Sequence, residues 1–435
     1  MKTKTYELIR EQVHTERLDN GLPIFVIKKP DYYKSFAFFA TNYGGADRRF
    51  KHGGEWIDTP EGVAHFLEHK LFDTEDGNAL ELLSANGAQP NAYTSSDITG
   101  YYFTSTNKFY DNLEVLLSFV SVPYFTPESV EKEQGIIGQE IRMTEDAPAY
   151  SLYYDFMKLL YRNHPARYSV AGTVESIAEI TDETLYACHK IFYAPSNMAL
   201  IVGGDVDPDK IVEIAKKILP TERGEIPQRD YGAEELPEPI ALRAQKAMEV
   251  SEPMFLLGAS AQYPPKGAER LRFSLMGTLA AQMIAGKSSS LYLKMYDEGL
   301  VKSDFFAEFC AVANLAFTAF DGTGAQPEAV FDAVMNEIKR VADEGLDEVL
   351  FARLKKKQFG SLLRSLDSES AWEDLVHSHF NGYDSFESAQ VLTTITADEV
   401  LVFIREQMQT ERFAMMTVVP NAAANENAAT ENGDA

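Results

Sequence analysis

Cysteine is nearly missing from this chain. Two thiols in 435 residues, Cys188 and Cys310, are too few and too far apart for a disulfide scaffold, and they suit a reducing compartment. Long apolar runs are missing too. No uninterrupted stretch reaches the roughly 20 residues that a membrane-spanning helix needs, and Met1 to Tyr6 leads into no apolar segment of the kind a signal peptide requires. The expected location is the cytoplasm. Positive charge is in short supply: 40 Lys and Arg stand against 66 Asp and Glu, for a formal net charge of −26. That balance makes nucleic acid and anionic membranes poor partners, and it would steer cationic ligands inward, although an acidic surface also serves solubility alone. Histidine is scarce as well, at eight residues, so a close pair of them carries information.

The closest informative pair lies in His65-Phe66-Leu67-Glu68-His69. On a helix, residues four apart share a face at roughly 5 to 6 Å between Cβ atoms, so both imidazoles can reach one Zn²⁺ at about 2.0 to 2.1 Å. Glu68 flanks such a metal without having to bind it. The order His-x-x-Glu-His reverses the commoner zinc-protease motif. Gly62-Val63-Ala64 precedes it and Leu71-Phe72 follows, which places the histidines in an otherwise apolar helix, where a metal offsets the cost of burying them.

Catalytic zinc normally takes three protein ligands and leaves a position for water. The segment Ser129 to Arg142, after Pro127, has helical spacing with Val130, Ile136, Ile137 and Ile141 as its apolar set. Glu133 and Glu140 are seven residues apart and so nearly superposed on one face. Either can supply a carboxylate.

The chain exceeds the roughly 250 to 300 residues at which single cores stop growing, and its pattern repeats. Ile180-Thr181-Asp182-Glu183-Thr184-Leu185 leads to a strand-like run over Asn197–Gly204, and Ile395-Thr396-Ala397-Asp398-Glu399-Val400-Leu401 leads to another over Arg412–Val419 at a similar distance. This is the signature of an internal duplication. Strands are expected at Ser35–Ala40, Gly100–Ser105 and Pro253–Gly258, with long helices between them, an α+β pattern of helices on largely antiparallel sheets. The expected division is a metal-binding domain over residues 1–222, a linker over 223–238, a homologous domain without metal over 239–420, and a disordered tail over 421–435. In the second half, Leu279-Ala280-Ala281-Gln282-Met283-Ile284 stands where the metal helix should recur, and Phe351 to Gln358 is basic where its counterpart is acidic. His377 and His379, two apart, point to different sides of a helix and read as structural or surface residues.

From about Glu16 to Pro420 the chain resembles the inverted-motif zinc peptidases, the insulinase or pitrilysin family (peptidase family M16), which includes the mitochondrial processing peptidase. The resemblance implies that His65, His69 and Glu140 bind one Zn²⁺ and that Glu68 is the general base for a zinc-activated water. It implies a supporting carboxylate at Glu133 and a substrate-pairing edge strand at Asn91, Ala92, Tyr93 and Thr94. It further implies two homologous domains closing like a clamshell around a peptide chamber. Within the family the likeness is to bacterial YmfH-like members, which pair with a metal-less YmfF-like relative and have been linked to peptide processing and to modification of elongation factor P.

One departure bears on mechanism. Many members place an Arg and a Tyr of the second domain against the scissile carbonyl, and the matching positions here are Ser290 and Lys302. Tyr292, Tyr296 or Lys302 can substitute locally, or a metal-less homologous partner or a second copy of the chain can supply the missing groups. The expected function is a zinc-dependent endopeptidase acting on peptides or unfolded segments. The alternative is a non-catalytic or partner-dependent assembly or processing subunit.

Overall fold

The computed structural model describes residues 1–264 and 266–421. Apart from Asn421, the expected tail lies outside the described residues. No helix among the described residues is long and apolar enough to cross a membrane.

The chain forms two compact units, each a layered arrangement of helices and sheet. The first comprises residues 1–141, 169–232 and 363–387. Its sheet is built from β1 (Lys2–Tyr6), β2 (Glu11–Arg17), β3 (Pro23–Lys28), β4 (Ser35–Thr41), β5 (Ala88–Thr94), β6 (Thr99–Ser105) and β7 (Met198–Gly204), in the order β1-β2-β3-β7-β4-β6-β5. Only β3 and β7 run parallel. The unbroken apolar run Phe36-Ala37-Phe38-Phe39-Ala40 in β4 reflects burial on both faces. Ala37 and Phe39 enter the main core with Phe66, Leu67, Leu116 and Leu117 from the helical layer. Phe36 and Phe38 face the other way.

That second face is covered by a helix from late in the chain. Three helices matter below: α1 (Val63–Leu71), α2 (Pro127–Glu145) and α3 (Glu369–Phe380). Helix α3 packs on β7 and β4, with Trp372 6.0 Å from the Phe36 ring and laid over Gly203. A Cβ at Gly203 would stand 2.2 Å from the Trp372 ring, so only glycine lets the indole reach the strand. The two histidines noted in the sequence hold this helix. His377 Nε2 is 2.9 Å from the Tyr93 hydroxyl, and His379 packs edge-on against Phe25, where burial pushes its pKa down to about 4.

The second unit comprises residues 142–168, 233–362 and 388–435, described to Asn421. Its strands β8 (Arg243–Met248), β9 (Met254–Ala261), β10 (Phe306–Val312), β11 (Leu315–Thr323) and β12 (Ala414–Pro420) run in the order β8-β12-β9-β11-β10, with β8 and β12 parallel. In chain order this repeats β3-β7-β4-β6-β5 strand for strand. The matched helices Asp182–Phe192 and Ala397–Gln407 are both capped by a threonine, Thr181 and Thr396, ahead of β7 and β12. The duplication is therefore visible in topology as well as in sequence.

The units do not follow the contiguous halves expected from the sequence. Helix Pro148–Leu160, from the first half, packs on β12 and β9 of the second unit. Its counterpart α3, from the second half, packs on the first. An amphipathic helix is stabilised by whichever sheet face it covers, and chain order does not specify which one. Replacing Gly203 by Ala should force Trp372 off the strand and destabilise the protein by about 1 to 3 kcal/mol, read as a lowered thermal midpoint. An unchanged midpoint would show that this packing is not limiting.

Candidate metal centre

Helix α1 begins at Gly62, whose φ of +93° is left-handed and where a Cβ would lie 2.6 Å from the Ala171 carbonyl oxygen. A side chain there would be both strained and crowded. Val63, Ala64, Phe66, Leu67, Lys70 and Leu71 are buried; removing Phe66 or Leu67 from water contributes about 1.5 to 3 kcal/mol each. With that face fixed in the core, His65, Glu68 and His69 are left on the opposite face.

Helix α2 brings the carboxylates. Val130, Ile137, Gly138 and Ile141 are its buried residues. Ile136, read from the sequence as part of the same apolar set, is instead 46% exposed and lines the cavity beside the site. Glu140 Oε1 lies 3.6 Å from His65 Nε2 and its Oε2 lies 3.6 Å from His69 Nε2. One turn-pair earlier, Glu133 Oε1 is 3.0 Å from His69 Nδ1. The two acids thus divide the roles that spacing alone left open: Glu140 faces both imidazoles, and Glu133 holds one of them from behind.

The donor set fits zinc. Ligands placed tetrahedrally at about 2.0 to 2.1 Å stand about 3.4 Å from one another, and the histidine-to-carboxylate separations are close to that. His65, His69 and Glu140 are the one group of three or more such side chains among the described residues that could hold a metal, with ligand atoms all within 4.8 Å. With Nδ1–H of His69 donating to Glu133, Nε2 is presented to the centre, a carboxylate–histidine arrangement typical of ligating imidazoles. His65 Nδ1 is buried and finds no hydrogen-bond partner among the described residues.

The electrostatics agree. At His69 burial opposes the charged form, yet the hydrogen bond to Glu133 and the fields of Glu68, Glu133 and Glu140 outweigh it and raise the pKa. At Glu140 the hydrogen bond with His65, then the charges of His65 and His69, hold the carboxyl below its ordinary range against the effect of burial. The cluster is a concentration of negative charge around two imidazoles, which favours a cation.

Glu68 is not part of the ligand group. Its Oε2 accepts a 2.6 Å hydrogen bond from Thr94 Oγ1, and the residue lines a cavity of about 480 Å³ together with His69, Glu133, Asn91 and Ala92. Asn91 to Thr94 belong to β5, the last strand of the sheet, whose one paired strand among the described residues is β6. Their side chains divide between the two faces: Tyr93 turns toward α3, with its ring stacked on Phe38 and its hydroxyl on His377, whereas Thr94 turns toward α1. In the second unit, Ser290 opens the short helix Ser290–Asp297, capped by Ser289, and Lys302 is ion-paired with Glu252.

Comparison with known proteins places this geometry. Residues 52–174 match the family described as Insulinase (Peptidase family M16), and residues 179–358 match the Peptidase M16 inactive domain. The zinc protease YmfH of Bacillus subtilis (strain 168), itself uncharacterised, is 37% identical over 432 residues, covering 97% of this chain and all of its own length. The chain belongs to peptidase family M16. A crystal structure of an M16-like peptidase candidate from Alicyclobacillus acidocaldarius superposes with a TM-score of 0.90 at 31% identity, over 97% of this chain and 99% of that one. Pitrilysin, at 15% identity and a TM-score of 0.77 over 96% of this chain and 46% of its own, shares the fold. The inactive-domain match begins within the first unit and includes Leu279 to Ile284, the segment that stands where the histidine-bearing helix would recur.

His65→Ala, His69→Ala and Glu140→Gln should each lower zinc occupancy, measured by metal analysis after dialysis. Glu133→Gln should retain zinc but bind it about 10 to 100-fold more weakly, because it removes the group that orients a ligand and not a ligand itself. Full occupancy in the His69→Ala protein, or an unchanged affinity in Glu133→Gln, would contradict these assignments.

Proposed function

We propose that this chain is a zinc-dependent endopeptidase that cleaves peptides or unfolded segments held in extended form along β5. The observation that carries the reading is Glu68. A carboxylate stands beside the histidine–glutamate group, on the same helix face as both imidazoles and in a cavity bordered by an open strand edge, yet it is not used as a ligand. One Zn²⁺ per chain, held by His65, His69 and Glu140, would acidify water and polarise the peptide carbonyl. Glu68 is then the group that accepts the proton of the attacking water and returns it to the leaving amine. Glu133 keeps His69 in the tautomer that presents Nε2. The backbone of Asn91, Ala92, Tyr93 and Thr94 offers an extended peptide a strand to pair with, and Asn91 and Ala92 border the cavity in which the bond would be cut.

The only two cysteines, Cys188 and Cys310, are free, which supports a reducing, cytoplasmic setting. The acidic composition favours peptide over nucleic acid or an anionic membrane as the ligand.

A second reading, that the chain works only with a partner, is favoured by the second unit. Hydrolysis develops negative charge on the carbonyl oxygen, and removing one donor to that charge can cost roughly 10² to 10³ in turnover. At the positions where family resemblance implies Arg and Tyr, this chain has Ser290, too short to reach as Arg does, and Lys302, already paired with Glu252. A homologous subunit without metal, or a second copy of the chain, would complete the site.

Glu68→Gln should keep its zinc and lose hydrolysis, because a proton acceptor and not a ligand has been removed; undiminished turnover in that variant would end the endopeptidase reading. Mixing the wild-type chain with a metal-less homologue should raise turnover with little change in zinc content. If the chain alone already turns over peptides within the usual range of about 1 to 10³ per second and the homologue adds nothing, partner dependence is excluded.

A further inference from the structure

The hydroxyl of Thr94 has one proton, and its 2.6 Å bond to Glu68 Oε2 takes it. The next hydroxyl inward, Thr99 Oγ1, lies 3.5 Å from Thr94 Oγ1 and is itself committed to the Tyr43 carbonyl oxygen at 2.9 Å, so Glu68 is the near acceptor for Thr94. The row is fixed by strand register. Thr94 pairs with Thr99, and Thr99 pairs with Thr41 on β4, so three threonines stand side by side on the face that carries α1. Thr99 and Thr41 are fully buried, and Thr41 donates to the Phe192 carbonyl oxygen at 2.6 Å. In the same core the Tyr193 hydroxyl is 2.8 Å from that of Tyr101.

We infer that Thr94, backed by this hydroxyl row, is the positioning residue of the general base: it holds one oxygen of Glu68 and leaves the other, Oε1, directed to the reacting proton. The terminal torsion of a glutamate is broad and roughly two-fold, so a carboxylate on a half-buried helix face samples several orientations unless a neighbour selects one. A base misplaced by about 1 Å can lose on the order of 10² in rate. The position of Thr94 gives the contact a further consequence. The same residue presents its backbone on the open edge of β5, where an extended peptide would pair, and its side chain to the base, so the strand that meets the substrate also orients the group that acts on it. The assignment of catalysis to Glu68 rests on the endopeptidase reading; the contact between Thr94 and Glu68 does not.

Thr94→Val removes the hydroxyl and preserves the shape. It should lower kcat about 10 to 100-fold while leaving KM and zinc content unchanged, and Thr94→Ser, which restores the donor, should recover most of the rate. Thr94→Val with wild-type kcat, or Thr94→Ser as slow as Thr94→Val, would overturn the inference, the second result because it would assign the effect to the lost methyl group. Crystal structures of the metal-free wild type and Thr94→Val supply a readout independent of activity. Glu68 should hold one orientation in the first and leave it in the second, and a Glu68 carboxylate unmoved in Thr94→Val would overturn the inference by itself. Wild-type protein that cleaves no peptide even with a metal-less homologue added would count against the endopeptidase, while the pair of structures would still decide whether Thr94 holds Glu68.

Discussion

Helix α1 is nine residues long and buries six of them, and that burial fixes the direction in which His65, Glu68 and His69 project. The candidate centre depends on it. If the helix rotated, Phe66 and Leu67 would leave the core and the imidazoles would turn from Glu140. The anchoring begins at Gly62, the one residue type that meets both the left-handed turn and the close approach of Ala171. Metal-site geometry is thus maintained by apolar packing on the far side of the helix, and the polar groups need only be placed on the remaining face.

The second unit shows what the same framework does without that requirement. Its five strands repeat the order and the single parallel pair of the first, and its later helix is capped by threonine as its counterpart is. Where α1 would recur stands Leu279-Ala280-Ala281-Gln282-Met283-Ile284, largely buried within the helix Ala268–Ala285. The scaffold tolerates an apolar helix there because the sheet asks only for a hydrophobic cover. The candidate ligands therefore belong to one copy, and the reciprocal placement of helix Pro148–Leu160 and α3 ties each copy to a segment from the other half of the chain.

Strand β5 makes two opposite contacts from consecutive residues. Its side chains alternate, so Tyr93 secures the strand to α3 through His377 while Thr94 reaches Glu68 on the opposite face. The strand is held from below, and along its outer edge it has no neighbouring strand among the described residues. Alternation with a period of two lets a single strand make contacts on both of its faces, toward Glu68 on one and toward α3 on the other.

Much of the candidate ligand set was legible in the sequence. Helical periodicity placed His65 and His69 on one face, and a seven-residue spacing aligned Glu133 with Glu140, because these relations are set by backbone geometry within a single element. It also carried the duplication, in two matching runs ahead of two strands. What it left open involves separate elements meeting in space. Which acid faces the imidazoles and which supports His69, the outward turn of Ile136, the hydroxyl of Thr94 on Glu68, and the exchange of equivalent helices between the units all depend on how helices and strands dock. Docking is decided by apolar surfaces distant in the chain, such as Trp372 against Gly203. Periodicity says which way a side chain points from its own element, and only the tertiary structure says what stands opposite.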